Sequence, residues 1–249
     1  MVFRVIPVKQ EVEFPPGTPR LYRRCVVQDG SEQSEATLSF AEQQPFYGDH
    51  RSLFAATMHQ PNPHPPVSVL VKLMKGKYAD DVHRLLASHD LAPKLYGQMR
   101  VEGAPTAYVM EALGSSWETL YDVLQKSKEG CKSKLGPDHK EGVRLSLKLV
   151  LDLLQCSGFV HGDLRPNNIM VHVDEQCLPS ISSTNSVANI CVIDFDWAGS
   201  SGVVFYPDTR NNQIEDVRWP GKAGGPIEVG HDEFLVASWW RYHFNGEEF

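Results

Sequence analysis

The stretch His161-Gly162-Asp163-Leu164-Arg165-Pro166-Asn167-Asn168, answered further on by Ile193-Asp194-Phe195-Asp196, decides the reading of this chain. An apolar lead-in, Gly158-Phe159-Val160, delivers an acid at Asp163, a cation two residues later at Arg165 and a carboxamide at Asn168. One carboxylate can orient an attacking hydroxyl, while a carboxamide and a second, distant carboxylate are the hard oxygen ligands that magnesium takes. That set suits phosphoryl transfer. Asp, Asn and Pro after Gly are also ordinary turn chemistry, so Pro166-Asn167-Asn168 by itself can be read as a plain loop from a helix to a strand. A second element in the right order downstream argues against the plain loop.

The surroundings fit a rigidly held loop. Asp138 followed by Glu141 predicts a capping-box start for a long helix, with Val143, Leu147, Val150 and Leu154 on its inward face and Gly158 closing it. Residues 169–173 and 189–193 predict a strand pair that brings Asn168 and Asp194 together. Between them, residues 174–188 are rich in Ser and Asn and read as an exposed insertion.

The block at His161 resembles the catalytic loop of the protein-kinase-like superfamily, and Ile193 to Asp196 resembles its metal-binding D-F-G element. His-Gly-Asp and Ile-Asp-Phe-Asp look closer to the aminoglycoside and choline kinase-like branch, and to atypical fungal-type kinases, than to ordinary protein kinases. The resemblance implies an α+β, bilobal fold with a strand-rich N-lobe and a reduced helical C-lobe: residues 46–113 and 114–249, preceded by a strand-rich extension over 1–45. It implies ATP and magnesium as cofactors and a hydroxyl-bearing acceptor, protein or small molecule, as partner. Asp163 would orient the hydroxyl and take its proton, and Arg165 would stabilise the transferring phosphoryl charge. Asn168 and Asp194 would bind magnesium. Lys72, in Val69-Leu70-Val71-Lys72-Leu73, resembles the strand lysine that holds the nucleotide's phosphates, with Asp81 as the better candidate for its partner than Asp80. Met110-Glu111-Ala112 resembles the segment whose backbone meets the adenine edge. His161 reads as structural, and Asp196 as a supplementary metal ligand or a cap. The alternatives from other classes are a nucleotide-binding pseudokinase scaffold and an ATPase-like switch with water as acceptor.

The remaining chain is read in order. Val2, Val5 and Val8, then residues 21–28 and 36–41 around Asp29-Gly30, predict strands, with Pro15-Pro16-Gly17 as a break. Phe46-Tyr47-Gly48-Asp49-His50 stands where a phosphate loop would, but a single glycine is no G-x-G-x-x-G cradle. Residues 53–59 and 67–73 predict a hairpin across a proline-rich connection, residues 78–89 a helix facing inward with Val82, Leu85 and Leu86, and residues 94–99 and 106–110 two more strands. A short helix is predicted over 117–125. Lys126, Lys128, Lys132 and Lys134 then read as a solvated loop. Residues 199–230 hold turns but no A-P-E, leaving little recognisable substrate platform. The final helix, 231–244, is predicted to face inward with Phe234, Leu235, Ser238, Trp239 and Tyr242. Asp232 there is either a first-turn acid or a brace for the catalytic loop.

A formal net charge of -7 argues against a nucleic-acid or acidic-membrane partner. Five cysteines, an odd number with no C-x-x-C pair, predict a reduced setting. No apolar run approaches the roughly 20 residues of a membrane span, and the start lacks a signal peptide's apolar block. The expected location is cytoplasmic or nuclear.

Overall fold

Alternation of apolar and polar side chains builds much of the first half of the chain into strands. The computed structural model describes Tyr22, Arg24–Asp29, Glu32–Phe40 and residues 52–61, 64–128, 135–214 and 216–249. The expectations placed on residues 1–20, on Phe46 to His50 and on the lysines beyond Lys128 lie outside these. β1 (Arg24–Asp29), β2 (Glu32–Phe40), β3 (Leu53–His59), β4 (Val67–Met74), β5 (Leu95–Met99) and β6 (Thr106–Glu111) form one antiparallel sheet in the order β1-β2-β3-β4-β6-β5. Its two edge strands also approach each other, so the sheet curls. One face carries the core, in which Leu38, Phe54, Met58, Val69, Val71 and Val109 meet. Full burial of side chains such as Met58, Val69 and Val71 stabilises by about 1.5–3 kcal/mol each. β2 begins at Glu32, four residues before the predicted start. Its polar opening carries no apolar signal, yet it pairs backbone to backbone with β1, as at Asp29 with Glu32.

Contacts group the chain into two units. One holds the six-stranded sheet; the other holds Tyr78–Pro93 together with Leu113–Phe249. The expected partition at 113/114 therefore differs at α1 (Asp80–Ala87), which joins the second unit. The reason is local bonding. Ala79 N–H donates to Phe195 O at 3.4 Å and Val192 N–H to Leu91 O at 2.8 Å, while the His83 ring stacks on Phe195 with centroids 4.5 Å apart. The buried stripe of α1 is Val82, His83 and Leu86, with Leu85 only half-buried and Asp81 exposed. Asp81 therefore does not stand on the inward face, and its Oδ1 accepts Val82 N–H at 2.9 Å.

In the second unit the predicted helix from Trp117 proves to be a strand first. β7 (Trp117–Thr119) pairs with β9 (Ile169–His172), and α2 (Leu120–Lys128) follows. An aromatic and a β-branched residue favour the pleated edge, and Trp117 meets its cross-strand partner His172 edge-on. α3 (Pro137–Cys156) buries the predicted Val143, Leu147, Val150 and Leu154. Its start is not the capping box: Gly136 is the N-cap and Pro137 opens the helix, while Glu141 pairs with Arg144. Gly158, at φ +67°, ends it. β8 (Phe159–Val160) then pairs with β11 (Gly199–Ser200), and β9 pairs with β10 (Ile190–Val192).

The 174–188 insertion is not merely an exposed loop. It docks on α3: Ala188 N–H donates to Gly142 O, and Ser146 Oγ donates to Ala188 O at 2.7 Å. A glycine in mid-helix costs about 1 kcal/mol against alanine, and here the insertion packs closely over it. A Cβ on Gly142 would lie 2.5 Å from Ile181 Cδ1 and 3.1 Å from Ser186 O. α4 (His231–His243) buries Asp232, Leu235, Val236, Trp239, Trp240 and His243, whereas Phe234 and Tyr242 are exposed. The stripe is thus rotated from the predicted one, because Asp232 and His243 turn inward to polar partners. Among the described residues no helix is long and apolar enough to cross a membrane. Gly142→Val is expected to lower unfolding stability by about 1–3 kcal/mol, the usual cost of overpacking, read from the midpoint of a urea transition.

Candidate active site

Backbone geometry places the loop before any side chain acts. β8 delivers the chain to His161, and Gly162 turns it at φ +79°. Only glycine fits there, since a Cβ would lie 2.6 Å from Ile227 Cδ1 and 3.3 Å from Trp197 O. A single 3-10 turn, Pro166–Asn168, then hands the chain to β9.

Two residues of α4, seven apart and so on one helix face, hold this loop. Asp232, buried at the helix start, accepts His161 N–H at 2.6 Å and Gly162 N–H at 2.8 Å. Trp239 donates its indole N–H to Leu164 O at 3.0 Å. Of the two readings open for Asp232, the structure decides for the brace. Burial pushes its carboxyl pKa up; the two N–H donors pull the other way. His161, with no exposed surface, donates Nε2–H to Ile193 O and accepts Asp163 N–H at Nδ1; the network assigns that tautomer.

Asp163 sits at the centre with 5% exposure. Arg165 grips both its oxygens, Nε to Oδ1 at 2.5 Å and Nη2 to Oδ2 at 2.9 Å. Asn168 Nδ2 donates to Asp163 Oδ2 at 2.8 Å and to its backbone O at 2.9 Å. Burial raises the Asp163 pKa above its ordinary 3.8, with the Arg165 hydrogen bond and charge opposing and the Asp194 charge adding to the rise. The backbone O of Asn168 accepts Ile193 N–H at 2.9 Å, which brings Asp194 alongside. Asp194 is exposed and has φ +68°, a left-handed conformation uncommon outside glycine and frequent at functional sites.

Asp163, Arg165, Asn168 and Asp194 are therefore brought together. Asp81, in the same unit, lies on an exposed helix face. Lys72, Met110, Glu111 and Ala112 belong to the sheet unit. Lys72 is on β4, an internal strand, 9% exposed and on the face opposite Val69 and Val71. Glu111 N–H donates to Lys94 O and Ala112 N–H to Ser68 O, so these two donors serve the sheet.

The donor set is one of hard oxygens, the kind magnesium takes. With Asn168 Nδ2 turned to Asp163, its Oδ1 is the side-chain atom left for a cation, and the Asp194 carboxylate is the second oxygen donor one residue beyond the Ile193–Asn168 backbone bond. Among the described residues no cluster of three His, Cys, Asp or Glu forms a self-contained metal cage. Two oxygen ligands fit an ion that keeps waters and shares phosphate oxygens.

Several contacts here escaped the sequence reading. Phe195 is buried between the rings of His83, Tyr78 and His161; a histidine within the Val82–Leu86 apolar stripe was the available signal. Beyond Asp196, Trp197, Tyr206, Trp219 and Ile227 form an aromatic bed beside the loop, where little platform was expected. His243 Nε2 meets Asp216 Oδ2 at 2.9 Å, and that hydrogen bond lowers the Asp216 pKa.

The fold is the kinase-like α+β fold. The structure of the PK-1 kinase of Cydia pomonella granulovirus matches this chain with a TM-score of 0.52 at 12% identity, covering 81% of this chain and 69% of that one. No family model and no curated protein matches the sequence. Asp232→Asn keeps the shape but offers one acceptor to two buried N–H groups, so stability should fall by about 1–3 kcal/mol. The check is a urea unfolding midpoint that drops with an unchanged slope.

Proposed function

We propose that this chain is a kinase-like phosphotransferase that moves the γ-phosphoryl of ATP, with magnesium, to a hydroxyl on an acceptor. The observation that supports the reading best is the double role of Asn168. Its side chain steadies the Asp163 carboxylate while its backbone carries Ile193, so the hydroxyl-orienting group and the Asn168–Asp194 ligand pair share one hydrogen-bonded frame. The kinase-like fold agrees with it.

In this reading Asp163 accepts a hydrogen bond from the acceptor hydroxyl and takes its proton late, as the oxygen–phosphorus bond forms and ADP departs. Arg165 holds Asp163 in place and offers positive charge beside the transferring group. Asn168 Oδ1 and Asp194 would hold magnesium, which when bound neutralises phosphate charge. Lys72, on its buried face of β4, would hold phosphates. A second reading, the nucleotide-binding scaffold, is favoured by one observation: Arg165 engages both oxygens of Asp163.

Asp163→Asn separates the two. Asparagine keeps the size but takes up no proton, so nucleotide affinity should survive while turnover falls by roughly two or more orders of magnitude. Undiminished turnover in the variant would remove Asp163 from the chemistry; ATP binding without turnover in the wild type would favour the scaffold. The raised Asp163 pKa adds a pH test. The base must be ionised, so kcat/KM should fall as pH drops through a value above 3.8, and Asp163→Asn should lose that acid limb.

A further inference from the structure

Arg165 is held from two sides. Its Nε and Nη2 bond the two oxygens of Asp163, and its guanidinium carbon lies over the Trp219 ring, 5.5 Å from the ring centre. At that distance a cation is drawn to the negative face of an aromatic ring, and indole draws it best. The indole is itself fixed. Its Nε1–H donates to Asn211 O at 3.1 Å, Trp197 and Tyr206 meet it with centroids 5.5 and 5.9 Å away, and the Arg210 guanidinium carbon lies 4.7 Å from its centre. Arg210 is tied in turn to Asn212 Oδ1 and Gly221 O.

Arg165 without that ring would have other choices. Arginine loses much rotamer entropy when it is held, and this side chain is 20% exposed, so water competes for it. A second carboxylate is also within electrostatic reach: the His243 hydrogen bond leads the causes that lower the Asp216 pKa, and the Arg165 charge is among them. The ring plane is the rigid surface on which the Asp163-bound orientation rests.

We propose that Trp219 is a positioning residue for Asp163: its indole holds the Arg165 guanidinium against the Asp163 carboxylate, so the loop's central acid depends on a ring from the stretch of little regular structure beyond Ser200. That the positioned carboxylate acts on an acceptor hydroxyl rests on the phosphotransferase reading above. The hold of Trp219 on Arg165 does not, and it is measured without turnover.

The probe is the Arg165 Nε–H resonance of the whole isotope-labelled chain, assigned by its loss in Arg165→Lys, and the measurement is its rate of exchange with water. Trp219→Leu stays apolar but removes the ring, and exchange should quicken about tenfold, a factor within the range of a cation–π contact. Trp219→Phe keeps a ring face and should restore most of the protection. The Trp239 indole N–H, bonded to Leu164 O in the same loop, is the internal control and should not move. In an Asp163→Asn background, which breaks the other end of the same contact, Trp219→Leu should add little. Should Trp219→Leu not fold, fluorinated tryptophan at 219 keeps the shape and drains the ring's negative face, so exchange should quicken with each fluorine. In turnover, kcat should fall about tenfold in Trp219→Leu with the KM for ATP unchanged. Unchanged Arg165 exchange in folded Trp219→Leu or on fluorination overturns the proposal, as do a Phe variant no better than the Leu one, full additivity with Asp163→Asn, or equal quickening at Trp239. Quickened exchange in a chain without phosphoryl transfer to any acceptor would keep the hold of Trp219 on Arg165 and sink the phosphotransferase reading; turnover with unchanged exchange would do the reverse.

Discussion

The second unit depends on the buried carboxylate of Asp232. It accepts two consecutive backbone N–H groups, those of His161 and Gly162, at the point where the chain turns from β8 into the loop that carries Asp163. Those donors are inside the protein and would each cost free energy if left unmade. Their acceptor comes from a helix some seventy residues later, so the loop takes its shape only when α4 docks. Trp239, two turns along the same face, repeats the device at Leu164 O. The loop is thereby built on a helix face rather than on its own turn propensity.

A graded arrangement of charge follows from that docking. Asp232 is buried, and both its oxygens are taken by backbone donors. Asp163, buried to the same degree, is shared between Arg165 and Asn168, so the burial that raises its pKa is partly opposed by Arg165. Asp194 is exposed at a strained backbone position. Three aspartates within one small region thus have three environments, and environment is what sets chemically identical groups apart in charge and bonding.

The aromatic bed adds the remaining wall. Trp197, Tyr206 and Trp219 come from a segment with little regular structure, held by side-chain stacking and by the Phe205–Pro226 bridge rather than by a ladder. Rigid rings with few rotatable bonds can support two guanidinium groups at little entropic cost.

The sequence by itself was enough for whatever is encoded within a short window. Alternation marked β3 to β6, helical spacing marked the inward face of α3, and the acid–cation–carboxamide spacing marked Asp163, Arg165 and Asn168, since each lies on one short turn. Tertiary structure alone decided what requires distant partners. The strand at Trp117 needed His172 opposite it, and Gly142 is explained only by the insertion that lies against it. The stripe of α4 turned because Asp232 and His243 found polar partners far along the chain, which an apolar-periodicity argument cannot see. Arg210 and Trp219 could not be singled out for the same reason: a guanidinium and an indole nine residues apart in an irregular segment have no periodic signature, and only packing tells where their faces meet.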